Sequence, residues 1–167
     1  MNVMVSCEFR FFQTPDGRVW TSSAFQYNFW LRYLTSFNQV TVLARVKKVL
    51  QTEPHWQLSS GENVDFFNLP YYVGLAGLVK SSLKLIRTLI QASKFTGKFL
   101  CRVPSQNATL LTFILRLKNK PYGLEVVGDP YDVFSSGVGG RLSNILRYSS
   151  TKTLKSQCKH AIGVSYV

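Results

Sequence analysis

Acidic residues are scarce in this 167-residue chain: 8 Asp and Glu stand against 20 Lys and Arg, a formal net charge of +12. Histidine is nearly missing. His55 and His160 are the only two, and neither has a partner at ligand spacing, which speaks against a stand-alone zinc domain. His55 reads as a surface-loop residue and His160 as a structural one. The three cysteines, Cys7, Cys101 and Cys158, are widely spaced and form no CxxC pair. That pattern gives no disulfide framework and fits a reducing compartment. Met1 to Arg10 shows no secretory-signal pattern. There is no Walker A sequence and no GxSxG elbow. Gly137, Gly139 and Gly140 cluster, but Leu142 stands where a GxGxxG needs its third glycine, so a dinucleotide fingerprint is not supported. Long uncharged apolar runs are also lacking. The most hydrophobic segment, 72–93, is interrupted by Lys80, Lys84 and Arg87. Each such charge costs about 2.5–3.5 kcal/mol at the centre of a membrane span.

Apolar and aromatic residues are plentiful, at 46% and 14%. A chain of this length and composition fits one folded domain with a full core. Its charge is unevenly spread. No acid occurs between Asp65 and Glu125, and none after Asp132, while basic residues continue through both stretches. Such a field attracts polyanions: nucleic acid, an anionic membrane or phosphorylated substrates. The plain alternative is a solubilising surface.

Local patterns alternate between strand and helix. Val3–Phe9 reads as a buried strand, and Phe11–Trp20 as a hairpin turning at Thr14-Pro15-Asp16-Gly17. Ser22 or Ser23 is placed to cap a helix reaching Phe37, with Phe25, Phe29, Tyr33 and Phe37 at helical spacing. Further strands are expected at Gln39–Val46, Asn63–Leu69, Lys98–Val103, Tyr122–Val127 and Ala161–Val167. Helices are expected at Tyr72–Ser93, Gln106–Asn119 and Leu142–Lys159. In the 72–93 helix, Lys80, Lys84 and Arg87 form one stripe, opposed by Leu75, Val79, Ile86 and Leu89. The stripe is either a solvated face or a contact for anionic lipid. The alternation predicts an α/β fold, a mainly parallel sheet with helices on both faces.

Ligands of such sheets gather beyond the carboxyl ends of the strands. That rule selects Arg10–Gly17, Val46–Lys48, Pro70–Tyr72, Arg102–Gln106 and Gly128–Gly140. Arg102 can clamp an anionic or hydroxyl-rich ligand, and Ser105 can do so or cap the next helix. Asp129, Tyr131 and Asp132 suit hydroxyl recognition, or an Asx-type turn. Hydroxyls, carboxylates and aromatic faces around the first hairpin suit a sugar, and equally a stacking surface for bases.

FRFFQTPDGRVWTSSAFQYNFWLRYLTSFNQVTVLARV resembles the opening of bacterial family-four glycosyltransferases of the GT-B fold. YGLEVVGDPYDVF and SQCKHAIGVSYV resemble later parts of the same domain, so the likeness runs over residues 1–167. It implies one Rossmann-like, three-layer N-terminal domain with a β-hairpin after the first strand, binding a saccharide or lipid-linked acceptor. Residues facing the cleft would be Thr14, Asp16, Gly17, Arg102, Ser105, Asp129 and Tyr131. The catalytic residue is unassigned, and no metal or other cofactor is implied. The family's second domain holds the nucleotide-sugar with an E-x7-E-like pair. Glu125 is the last glutamate here, so that half is expected to be absent and the chain alone inactive. The resemblance implies a retaining hexosyl transfer in cell-surface polysaccharide synthesis, located in the cytoplasm or at the inner membrane face. Its partners would be the acceptor and a donor-binding domain or subunit, with no nucleic acid; the basic stripe of Lys80, Lys84 and Arg87, read from the residues alone, adds an anionic membrane surface as a candidate. Two other classes are a non-catalytic interaction subunit, which predicts an exposed apolar patch, and a basic nucleic-acid-binding module.

Overall fold

A computed structural model of the chain describes residues 1–128 and 143–167. Its strands are β1 (Asn2–Gln13), β2 (Val19–Thr21), β3 (Gln39–Lys48), β4 (Gln57–Leu58), β5 (Val64–Leu69), β6 (Lys98–Val103), β7 (Gly123–Val126) and β8 (Gly163–Tyr166). Its helices are α1 (Tyr27–Leu34), α2 (Gly74–Ala92), α3 (Gln106–Leu117) and α4 (Ser143–His160). The strands form one mixed sheet. Six of them lie in the order β5-β3-β1-β6-β7-β8, every neighbouring pair parallel. That is the order of a doubly wound sheet, compatible with a Rossmann-like sandwich. The short β2 folds back antiparallel on the end of β1, and β4 extends it by one more antiparallel pair.

The sheet separates two cores, and strand alternation sorts residues between them. Val3, Val5 and Cys7 of β1 and Val40, Val42 and Ala44 of β3 face the side covered by α1. Met4, Leu43, Phe99, Cys101, Val103, Leu124 and Val126 face α2, α3 and α4. Trp30 is fully buried at the centre of the first core, among Phe11, Phe25, Phe29, Tyr33 and Phe66. Its indole N–H donates to Ser59 Oγ at 3.0 Å, which satisfies the one polar atom that its burial removes from water. Trp30 and Tyr33 of α1 are thus committed to the core, with Tyr27 and Phe29 packed partly buried against it.

Several boundaries differ from the sequence reading. β1 continues past Phe9 into the hairpin strand itself. α1 starts at Tyr27, with Gln26 in the cap position and no side-chain cap, so neither Ser22 nor Ser23 caps it. Phe25 stands at φ +66°, a left-handed conformation that interrupts any earlier helical turn. The helix ends at Leu34, and Phe37 closes a turn by donating its N–H to Tyr33 O at 2.9 Å. In α2 the buried face is Leu85, Leu89 and Ala92; Val79 and Ile86, expected to face the core, are exposed. Gly137, Gly139, Gly140 and Leu142 lie outside the described residues.

Candidate functional site

β1 is the strand at which the winding of the sheet reverses, because β3 and β6 flank it on opposite sides. Sheets of this order bind their ligands in the crevice beyond the carboxyl ends of the strands at that point. The β1–β6 pairing ends at Ser6↔Cys101. Along β3, the register then slips: β1 advances from Ser6 to Arg10 while β3 advances only from Leu43 to Arg45. The bulge carries Glu8 out of the regular ladder.

The Glu8 carboxylate joins three elements. Oε1 pairs with Arg45 Nη2 at 3.0 Å. Oε2 accepts from Ser105 Oγ at 2.8 Å and from the Asn107 backbone N–H at 3.0 Å. Ser105 is also the N-cap of α3, its hydroxyl accepting from the Ala108 N–H at 3.0 Å. A carboxylate beside the first turn of α3 complements the positive end of that helix. Arg45 donates to Tyr72 O at 3.1 Å and lies over the Tyr72 ring at 4.6 Å. The Tyr72 hydroxyl donates to Asn107 Oδ1 at 3.2 Å. Burial, and after it the nearby Glu8 charge, pushes the Tyr72 phenol above its ordinary range, so it stays a neutral donor. Two donors of this cluster have no protein partner: Arg45 Nε and Asn107 Nδ2, the latter on a fully buried residue. Both atoms are shut off from solvent behind Glu8, and an unmatched buried donor costs about 1–3 kcal/mol. Glu8 remains 28% exposed and gives the cluster its opening to solvent.

Ser105 is the expected residue that the structure brings into this crevice. Arg102 is elsewhere. Alternation along β6 turns it to the α1 side, away from Cys101 and Val103. It is buried there against Glu125, contacts the Tyr33 hydroxyl at 2.9 Å, and stacks over Phe29 and Phe25 at 4.9 and 5.4 Å. Tyr33 donates to the same Glu125 oxygen at 2.8 Å, and Arg32 binds the other at 2.6 Å. Arg102 is thus held by the fold and is not an open clamp. Thr14, Asp16 and Gly17 form the tip of the hairpin and bond to one another. The Thr14 hydroxyl donates to Asp16 Oδ1 at 2.5 Å and accepts from the Trp20 indole at 3.0 Å, and the Gly17 N–H donates to Thr14 O at 3.0 Å. The Thr14 hydroxyl, and then the Arg18 N–H, hold the Asp16 carboxyl below its ordinary range. Asp129 and Tyr131 lie outside the described residues, as does Asp132. Lys80, Lys84 and Arg87 stand exposed on α2, apart from the crevice.

Glu8, Arg45, Tyr72 and Asn107 received no role from the sequence. Tyr72 and Asn107 do fall in or beside segments that follow strands. For Glu8 and Arg45 the available signal was a charge inside an otherwise apolar strand, CEFRF and LARV. Cys7 and Cys101 are not activated nucleophiles. Burial pushes each thiol from 9.0 up to about 12. Among the described residues no group of three or more His, Cys, Asp or Glu could hold a metal ion. His55 sits exposed, 3.8 Å from Glu53. His160 bonds Ser156 O at 2.7 Å through Nδ1 and faces Arg116 at 3.2 Å through Nε2. The carbonyl partner requires the proton on Nδ1, which leaves Nε2 to accept from Arg116. With Phe113, Leu117, Lys120 and Tyr122, Arg116 and His160 line a groove at the amino end of β7, the opposite end of the sheet from Glu8.

No protein-family model matches the chain, and no solved structure matches it significantly. Protein CapJ of Staphylococcus aureus is 30% identical to it over 138 residues, covering 81% of this chain and 35% of CapJ. The chain spans about a third of the length of that curated relative.

Proposed function

We propose that the chain is the acceptor-binding half of a retaining glycosyltransferase that works in cell-surface polysaccharide synthesis. The observation that carries this reading is the polar cluster around Glu8 at the reversal point of the sheet. It combines an accessible carboxylate, Glu8, with a hydroxyl, Ser105, and two unpartnered donors, Arg45 Nε and Asn107 Nδ2. Acceptors and donors in one small volume suit the vicinal hydroxyls of a sugar. An anion suits it less, because Glu8 already occupies the positive end of α3 and already compensates Arg45. The parallel strand order and the resemblance of the TPDG hairpin and ARV strand support the same reading. The distant likeness to protein CapJ supports, at a coarser level, a role in cell-surface polysaccharide synthesis.

In this reading Glu8 and Ser105 orient an acceptor hydroxyl, and Arg45 and Asn107 bind its neighbours. Asp129 and Tyr131 remain candidates through the resemblance alone. The nucleotide-sugar binds a second domain or a partner subunit, and closing the two halves supplies the orientation and water exclusion that transfer needs. No catalytic base is assigned. The reading is tested by titrating the isotope-labelled chain with a panel of mono- and disaccharides and with UDP- and GDP-sugars. Amide signals of Arg45, Tyr72, Ser105 and Asn107 should move with a saccharide and stay in place with the nucleotide-sugars. Silence with every saccharide, or movement with the nucleotide-sugars alone, refutes it.

A second reading, a non-catalytic interaction subunit, has one observation in its favour. Ile162, Val164, Tyr166 and Val167, on and beside β8, are exposed apolar residues on a strand that pairs only with β7 among the described residues. A strand edge of that kind is a docking site for another chain or domain.

A further inference from the structure

The outer surface of α2 is not the polar face of an ordinary surface helix. Leu85, Leu89 and Ala92 fill the core, with Leu78 packed beside them. Four more aliphatic residues point outward: Val79, Leu83, Ile86 and Ile90 are 71%, 72%, 41% and 40% exposed. Their spacing repeats on one side of the helix, and at 3.6 residues per turn they fall within an arc of roughly 60°. Single exposed aliphatics are common; a line of four along one helix is not scatter. The neighbouring α3 adds exposed Phe113 and Leu117. The two helices are tied at their carboxyl ends, where Lys118 Nζ donates to Ser93 Oγ at 2.7 Å.

Charge accompanies this stripe. Lys80, Lys84 and Arg87 each follow one of the outward aliphatics directly, at 79, 83 and 86, and so form a parallel row about 100° further round. All three are exposed, and among the described residues none has an ion-pair partner. The segment from residue 66 to residue 124 contains no acid to repel an anionic surface. Among the described residues no helix is long and apolar enough to cross a membrane. An aliphatic stripe beside a cationic row on a helix that does not span is the chemistry of a helix lying in a lipid interface.

We propose that α2, with the exposed end of α3, docks on an anionic bilayer surface. The stripe Val79–Leu83–Ile86–Ile90 enters the headgroup–acyl boundary, and Lys80, Lys84 and Arg87 meet the lipid phosphates. This surface is separate from the crevice and does not depend on the transferase reading.

The test is co-sedimentation of the full 167-residue chain with vesicles of equal parts phosphatidylcholine and phosphatidylglycerol, and with phosphatidylcholine alone. Binding should require phosphatidylglycerol and weaken as salt rises. Each cation near the surface contributes about fivefold in partitioning, so Lys80→Glu/Lys84→Glu/Arg87→Glu should lose about a hundredfold. Val79→Ser/Leu83→Ser changes only exposed side chains, so thermal unfolding should show it folded, yet it should bind more weakly at every salt concentration. Absence of binding to the mixed vesicles overturns the proposal, as does equal binding to pure phosphatidylcholine. Unchanged binding of the Val79→Ser/Leu83→Ser variant also overturns it, because a basic protein merely adsorbed by charge would behave that way. A dimer in solution that this variant dissociates assigns the stripe to a second copy of the chain and overturns it equally.

Discussion

Two polar clusters lie within this sheet, one on each side of β6, and they are built to opposite plans. Around Glu125 every strong group is matched: Arg102 and Tyr33 share one carboxylate oxygen, Arg32 holds the other, and Phe25 and Phe29 cover the Arg102 guanidinium. Around Glu8 the matching stops short. The carboxylate is satisfied by three donors, but Arg45 Nε and Asn107 Nδ2 are left without partners, and Glu8 itself reaches solvent. Both clusters contain an arginine, a glutamate and a tyrosine, so residue type does not separate them. Closure does. A closed buried pair is a structural device whose value is felt when it is broken. An open one, at the point where the sheet reverses, keeps hydrogen-bonding capacity that the fold does not use.

The sharpest way to break this contrast is to remove one arginine from each cluster. Arg102→Met leaves Glu125 buried and short of a partner. It should cost about 3–5 kcal/mol in urea unfolding, the usual penalty for stranding a buried charge. Arg102→Met/Glu125→Leu removes both members and should recover much of that loss. If the double variant is as unstable as the single, packing and not charge explains the effect. Arg45→Met should be milder, about 1–2 kcal/mol, because Glu8 keeps Ser105 and the Asn107 N–H and can be reached by water. Its main effect should fall on the ligand, with about tenfold weaker saccharide binding, equivalent to one lost charged hydrogen bond. A large stability loss with unchanged binding would move Arg45 into the structural class with Arg102.

How far the sequence reached follows the same division. Periodicity is a local signal, and it located the strands and helices because each buries a face at its own repeat. β6 and α3, with Ser105 as cap, were legible to within a residue or two for this reason. The two clusters depend on which side of a strand a charge faces and on what another strand brings opposite. Arg102 looked like a ligand clamp because it ends a strand. The alternation of β6 against Cys101 and Val103 turns it to the Tyr33 side, and its partner Glu125 is far away in sequence. Glu8 was invisible for a related reason: only the slip in the β1–β3 register, a property of two strands together, carries it into the crevice. The same limit explains α2. Its three cations were legible, but which aliphatic residues face the core depends on the helix's rotation against the sheet, and the side holding Val79 and Ile86 turned out to face solvent.

The tyrosines sharpen the comparison through their titration. In the closed cluster, burial first, and then the hydrogen bond to Glu125, raises the Tyr33 phenol from 10.0 to about 12, against an opposing pull from Arg102. In the open cluster the Tyr72 phenol is also raised, chiefly by burial. A raised folded-state value means that the stabilisation is complete below pH 10 and is lost as pH rises from there toward 12, where the unfolded chain releases a proton that the folded one keeps. Each such group steepens the loss by up to about 1.4 kcal/mol per pH unit. Tyr33→Phe should therefore flatten the alkaline limb of the stability curve measured by urea unfolding at a series of pH values. An unchanged limb would mean that Tyr33 is reached by solvent and that the Glu125 cluster is not closed.

The smallest effect is expected at the hairpin tip, and it decides where the crevice ends. Gly17 stands at φ +85°, and a Cβ built there meets nothing within 4 Å. Gly17→Ala therefore carries a conformational cost without a clash, about 1–2 kcal/mol for a left-handed alanine. Gly17→Asn should cost less, because asparagine tolerates that region. The neighbouring Asp16 carboxyl, held low first by the Thr14 hydroxyl, supports the turn above its ordinary pKa and ceases to do so as pH falls, so both variants should lose the same increment in acid. Neither should alter the saccharide-dependent shifts at Arg45, Tyr72 and Asn107, because the tip's polar groups bond to each other. Loss of those shifts in Gly17→Ala with the fold intact would draw Thr14, Asp16 and Gly17 into the binding surface, and the open cluster would then extend along β1 from Glu8 to the hairpin.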